Sequence, residues 1–495
     1  MGISQALSIN QPVHPWLRPI NVAYVPGPVT ALLEEVVSNL LEHFSRDGHQ
    51  VQEEPDDSTD VLLTTAPTGQ PLNWRQSLLF TARRRFKLHH TPTLITLMQA
   101  TPAWLQSQLE HFERALSKPQ PDPQDFAFEG MAPDAYQTLI EQGQRGGPIL
   151  ALERVLQAQS KSIRVVLVVG EQRPLYAHHF DLVGAYPRSE ADPAEGFYED
   201  IVRRIATVAS THEITDHQVL DEIVPASLWK TLSTPQAMRT AGQELGKRNF
   251  FTEMVLIERL VHVPAVSDAV ASQYSEGCFA TWDARLGALI ATVTGSSRPV
   301  DKTNVTEDDL AVIVNARPDG QGAVVRHIEK HRNDPPSSEA VEMIDMDSLL
   351  PRIKLGTGWD VQANVPVTRS KLHGHRGILA YDPRLVEFVP LDPPYYHYPV
   401  SCATEAQARG IKAAFSRSQT LLDPDDPRQM AFTVLPGHGA VIAEKWATGK
   451  APFQLIWEAM DNGALEISKG IPQGPMRYTS APDGRLVLGV EEQTE

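Results

Sequence analysis

Only two cysteines, Cys278 and Cys402, occur in 495 residues. That is too few for a disulfide framework, and it leaves no Cys-x-x-Cys metal knuckle. Scarce cysteine suits a protein kept in a reducing compartment. Basic charge is scarce too. Lys and Arg number 44 against 61 Asp and Glu, a formal net charge of -17. Nucleic acid and anionic membranes require clustered cations. The one compact basic run, Arg83-Arg84-Arg85, reads as a solvated helix face. No apolar run approaches the ~18 residues of a membrane span. The first residues, Met1-Gly2-Ile3-Ser4-Gln5-Ala6, lack the basic and apolar segments of a secretion signal, and Ala6 breaks the myristoylation pattern. The expectation is a cytoplasmic protein with neither nucleic acid nor membrane as partner.

What is present is the composition of a globular protein, 41% hydrophobic and 21% charged. The chain is too long for one ordinary core, so several domains are expected. Apolar β-branched runs at 20–25, 60–65, 93–98 and 163–169 read as strands. Residues 29–46, 149–159 and 196–210 carry helical spacing. Strands alternating with helices predict a parallel, Rossmann-like α/β region over 1–130, then a Pro/Asp-rich link near 118–134 and a middle α/β segment over 131–233. The turn after the first strand, Val25-Pro26-Gly27-Pro28-Val29, has no Gly-x-Gly-x-x-Gly, and its prolines lack amide donors for a phosphate. A dinucleotide site is not expected there. Adjacent His178 and His179 would face opposite sides of a strand, so they do not read as ligands of one ion.

From 234 onward the chain reads as a helix followed by short strands. Asp319-Gly320 marks a hairpin between the strands at 308–314 and 323–328. Three motifs carry chemistry: Pro336-Ser337-Ser338-Glu339, His373-Gly374-His375 and Pro436-Gly437-His438-Gly439. On a strand, His373 and His375 share one face with Cα atoms about 7 Å apart, so both can reach one ion. His438, between two glycines, suits a tight turn that supplies a third imidazole. Three histidines leave a coordination position for substrate, the catalytic arrangement. Glu339 is the candidate acid/base. It also reads as a first-turn acid behind a serine cap, a reading compatible with the first.

These motifs stand in an order that resembles the class II aldolase/adducin family. A small-residue strand over 276–283 occupies the place of the family's Gly-Asn-x-Ser segment, with Cys278 where the family has asparagine. Ala291-Thr292-Val293-Thr294-Gly295 is similar to its Ile-Thr-Pro-Ser-Gly turn, and Thr306-Glu307-Asp308-Asp309-Leu310 to its Thr-x-Glu-Asp-Leu. Pro336-Ser337-Ser338-Glu339, His373-Gly374-His375 and the strand-turn over 434–441 follow in sequence. The resemblance implies an α/β/α domain with a mainly antiparallel central sheet over 234–475, followed by a tail over 476–495. It implies a divalent metal ion, zinc, on His373, His375 and His438. Glu339 would act as acid/base, and Gly277, Thr294, Gly295, Ser337 and Ser338 would cradle a substrate phosphate or carboxylate. The implied activity is an aldolase-like lyase or epimerase on a small hydroxy-carbonyl compound, through a metal-stabilised enediolate, in a homo-oligomer. Its alternative is an adducin-like, non-catalytic scaffold that kept the fold and lost the metal. Cys278 cannot donate as an asparagine amide does, which suggests an altered substrate or no phosphate requirement. A second register is also open, because residues 366–372 have a weak strand pattern. In it, 385–392 is the metal strand, and Pro390 and Asp392 replace two ligands.

Overall fold

The computed structural model describes residues 18–27, 29–66, 92–120, 163–170, 172–173, 175–180, 185–190, 196–211, 214, 216–251, 277–294, 300–357, 361–392, 403–436, 438–468 and 476–489. The chain forms two compact units, one from residues 1–211 and 253–273, the other from 212–252 and 274–495. Both mix helices with sheets. Among the described residues, no helix is long and apolar enough to cross a membrane.

The first unit runs β1 (Asn21–Val25), α1 (Ala31–Arg46), β2 (Gln50–Gln52), β3 (Val61–Ala66), β4 (Thr93–Ala100), α2 (Pro102–Leu116), β5 (Ile163–Val169), β6 (Tyr176–Phe180), β7 (Ala185–Ser189) and α3 (Phe197–Ser210). Its strands make one sheet in the order β2-β1-β3-β4-β5-β6-β7. Pairing is parallel from β2 to β5 and antiparallel through β6 and β7. Leu33, Val36, Val37, Leu40 and Phe44 form the buried stripe of α1, as their spacing requires. Thr30 caps that helix by accepting from the Leu33 amide at 3.2 Å. The expected strands and the helices at 29–46 and 196–210 are in place. Because β5 pairs directly with β4, residues on both sides of position 130 share one sheet. The helix expected at 149–159, Arg83 to Arg85, most of the Pro/Asp-rich link and the side chains of His178 and His179 lie outside the described residues.

The second unit runs β8 (Gln218–Val224), α4 (Ala226–Trp229), α5 (Thr234–Lys247), β9 (Cys278–Asp283), β10 (Ala288–Thr292), β11 (Leu310–Ala316), β12 (Ala323–Ile328), α6 (Ser338–Asp347), β13 (Arg352–Thr357), β14 (Val361–Pro366), β15 (Thr368–Gly374), β16 (Ile378–Tyr381), β17 (Val386–Phe388), α7 (Glu405–Phe415), α8 (Gln419–Leu422), β18 (Met430–Leu435), β19 (Gly439–Lys445), α9 (Gln454–Asp461), β20 (Leu465–Ile467), β21 (Tyr478–Ser480) and β22 (Leu486–Leu488). A nine-stranded sheet has the order β17-β18-β19-β15-β9-β10-β11-β12-β8. It is antiparallel except at its two edge pairs. Side chains alternate across a strand. Phe279, Ile290, Leu372 and Ile442 therefore pack on one side with Met238, Ala241 and Leu245 of α5. Cys278, Ala280, Leu289 and Ala291 pack on the other with Ala340, Met343 and Ile344 of α6.

Two segments depart from expectation. Residues 366–372 have a weak strand pattern, yet β15 sits at the sheet centre between β19 and β9. Its polar side chains are satisfied in pairs: Lys371 donates to Asp347 at 2.6 Å, and Thr368 to the same carboxylate at 2.5 Å. The Ser370 and Thr281 hydroxyls meet at 3.1 Å. Residues 476–489, expected as part of a tail, supply β21 and β22 to a small sheet in the order β20-β16-β22-β21. The Tyr478 ring packs edge-on against Tyr381, which anchors the segment.

Candidate metal centre

Four side chains that are remote in the sequence meet on the α6 side of the large sheet. His373 is on β15 and His375 lies just past its end. His438 occupies the tight turn joining β18 to β19, where its amide donates to the Leu435 carbonyl at 3.0 Å. Glu339 is in the first turn of α6. That helix start is held to the end of β10 by a bridge between Val293 and Pro336. The Thr294 amide also donates to the Pro335 carbonyl at 2.9 Å, and the Ser337 amide to the Thr292 carbonyl at 3.0 Å. Two glycines permit the approach. A Cβ on Gly439 would lie 2.0 Å from the Gly374 carbonyl oxygen. Gly277, at φ +93°, passes so close to His373 that a Cβ would lie 2.4 Å from its carbonyl oxygen.

One donor atom from each of Glu339, His373, His375 and His438 falls within 4.8 Å of the others. Their exposures are 6, 0, 2 and 1%. The imidazole centroids form a triangle of 4.6, 5.1 and 5.2 Å. Tautomers follow from the outer contacts. His373 Nδ1 lies 3.1 Å from the Ala440 carbonyl oxygen, which only accepts. His438 Nδ1 lies 3.0 Å from Gln407 Oε1, which also only accepts. Each ring thus carries its hydrogen on Nδ1 and presents an Nε2 lone pair, and the two Nε2 atoms are 3.2 Å apart. Burial, helped by neighbouring His373, pushes the His438 pKa down to about 3, so the ring is neutral at ordinary pH. Two neutral lone pairs at that distance repel. Nitrogens bound about 2.0–2.1 Å from one tetrahedral ion stand roughly 3.3 Å apart, so the spacing is compatible with two ligands of one cation. The donor set fits a divalent metal.

The expected ligands and acid/base, His373, His375, His438 and Glu339, are brought together. Ser337 Oγ donates to Glu339 Oε2 at 2.5 Å and fixes that carboxylate. Gly277 abuts the His373 backbone. The amides of Thr294 and Ser337 are engaged with neighbouring carbonyls, as above. Ser338 opens α6, and Gly295 lies outside the described residues. Asp392 is outside the donor cluster and pairs with Arg417 at 2.8 Å, so the second register does not describe this fold. Cys278 sits directly across from His373 in the sheet, its Sγ 3.9 Å from Met343 Sδ. Burial and the Glu339 charge push its thiol well up, away from a reactive thiolate.

Sequence reasoning missed Gln407 and Glu342. Gln407 Nε2 donates to Glu342 Oε2 at 2.9 Å, and burial and Glu339 push the Glu342 carboxyl well up. Thr404-Glu405-Ala406-Gln407 has the outline of a capping box, which explains Gln407 without a site. The three-residue interval between Glu339 and Glu342, one helical turn, was the available signal.

Comparison with known protein families, with curated proteins and with solved structures finds no match to this chain.

Proposed function

We propose that this protein is a metal-dependent, class II aldolase-like lyase or epimerase acting on a small hydroxy-carbonyl compound. The observation that carries the reading is the convergence of three imidazoles and one carboxylate, buried and within 4.8 Å. Three imidazoles with a carboxylate beside them form the donor set of an open zinc site, so zinc is the metal proposed. Bound there, a divalent ion supplies Lewis-acid polarisation of a substrate carbonyl or hydroxyl oxygen. Glu339 moves the proton between substrate and carboxylate. Ser337 orients it by donating to one of its oxygens. The second unit, with an antiparallel sheet between helices, is read as the aldolase/adducin-like domain. The first unit is read as a Rossmann-like support without a nucleotide. A cytoplasmic homo-oligomer fits this reading.

Elemental analysis of purified protein tests it, together with assays for carbonyl release from hydroxy-carbonyl substrates. About one divalent ion per chain is expected, lost in His375→Ala along with turnover. Metal-free wild-type protein, unchanged by that substitution, would instead favour the non-catalytic scaffold.

A further inference from the structure

We propose that Glu342 and Gln407 act as positioning residues that select the metal-binding tautomer of His438, an assignment that rests on reading the cluster as a metal centre. A primary amide accepts at one end and donates at the other. Gln407 uses both ends on buried partners: Oε1 stands 3.0 Å from His438 Nδ1, and Nε2 donates to Glu342 Oε2 at 2.9 Å. Gln407 and Glu342 are each 1% exposed, so water does not compete for either contact. Turning the amide over would aim its NH2 at His438 Nδ1 and its oxygen at a carboxylate oxygen. The imidazole would then accept at Nδ1 and carry its hydrogen on Nε2, the atom 3.2 Å from His373 Nε2. A hydrogen there blocks coordination. Glu342 opposes the turn because Oε2 accepts from the amide, and it does so whether the buried carboxyl is ionised or carries its proton on Oε1.

The parts come from different elements. Glu342 is one helical turn beyond Glu339 on α6, and Gln407 is in the first turn of α7. One face of α6 therefore carries both the proposed base and the group that orders a ligand belonging to the β18–β19 turn. His373 needs no such device, because a backbone carbonyl already holds its Nδ1 hydrogen. Partners of this kind fix ring orientation and tautomer at metal sites, and removing them costs about 10–100-fold in metal affinity.

Two readouts test the assignment. In metal-free full-length protein with ¹⁵N-labelled histidine, NMR reports the His438 tautomer. In the same protein, cobalt(II) titration reports affinity, and its visible absorption reports coordination geometry. Wild type is expected to show Nδ1–H. Gln407→Leu and Glu342→Leu are expected to populate Nε2–H and to bind cobalt about 10–100-fold more weakly. Glu342→Gln still offers an acceptor, and its loss is expected to be at least about threefold smaller than that of Glu342→Leu. If Glu342→Leu does not fold, Gln407→Leu and Glu342→Gln decide between them. An unchanged tautomer and affinity in Gln407→Leu would overturn the relay, as would an equal loss in Glu342→Gln and Gln407→Leu. Failure of wild type to bind cobalt would count against the metal centre itself, while the tautomer measurement would still judge the relay.

Discussion

His373 Nε2 and His438 Nε2 face each other at 3.2 Å, each ring held from behind through its Nδ1. One ring belongs to an inner strand of the sheet and the other to a turn 65 residues further along the chain. That geometry makes the two lone pairs costly in isolation and favourable around a cation.

Metal should therefore stabilise the fold. Binding to the native state alone adds RT ln(1 + [L]/Kd), about 2.7 kcal/mol at a hundredfold excess over Kd. Thermal unfolding with and without a chelator should show a lower midpoint without metal, and His375→Ala should abolish the difference. An identical midpoint in both conditions would remove the metal from the account.

Gly439 should be intolerant. Its Cβ position lies 2.0 Å from the Gly374 carbonyl, a backbone atom that can yield only by moving β15. Gly439→Ala is expected to cost about 1–3 kcal/mol in urea unfolding and to weaken metal binding. Wild-type stability in this variant would mean that the two strands approach less closely than described.

The Lys371–Asp347 pair, 2.6 Å apart with side chains 0 and 2% exposed, should show the asymmetry of buried ions. Burial pushes Asp347 up and Lys371 down, while their attraction opposes both. Lys371→Met strands the carboxylate and is expected to cost about 3–5 kcal/mol. The double variant Lys371→Met/Asp347→Leu should recover much of that loss. A double-mutant cycle with no coupling would contradict the pairing.

Glu444 sets a pH dependence. Burial pushes its carboxyl from 4.5 to about 7 although the Phe453 amide donates to it at 2.6 Å. The folded state thus retains a proton that the unfolded chain releases. Stability from this group is highest below about 4.5, falls as pH rises to about 7, and is level above. The fall is about 3 kcal/mol by linkage. Urea unfolding of wild type and Glu444→Gln at pH 5 and 8 isolates it: the variant should be the less pH-sensitive of the two. Parallel curves would show that Glu444 is ionised in the fold.

Much of the fold follows from local pattern. The stripe of α1 and the apolar run of β3 bury the residues that their spacing marks, because one helical face or a doubly covered strand is legible within a short window. β15 resisted that reading. Thr368, Ser370 and Lys371 are polar and wholly buried, and their partners are distant in the chain, so no window contains the reason they form a strand. Gln407 was hidden for a related cause: its capping pattern accounts for the backbone and says nothing of the side chain's two buried partners.

By itself, then, the sequence determined short-range chemistry: two histidines spaced to share one side of a strand, a glutamate behind a serine cap, and a histidine between glycines in a turn. Tertiary structure decided that these become one centre and that Asp392 does not join it. The pairings of β15 with β9 and β19 set the depth of His373 against His438, and the bridge from β10 to Pro336 sets Glu339 above them. Donor distances of a few ångströms between segments this far apart depend on strand register, and register is a property of the assembled sheet.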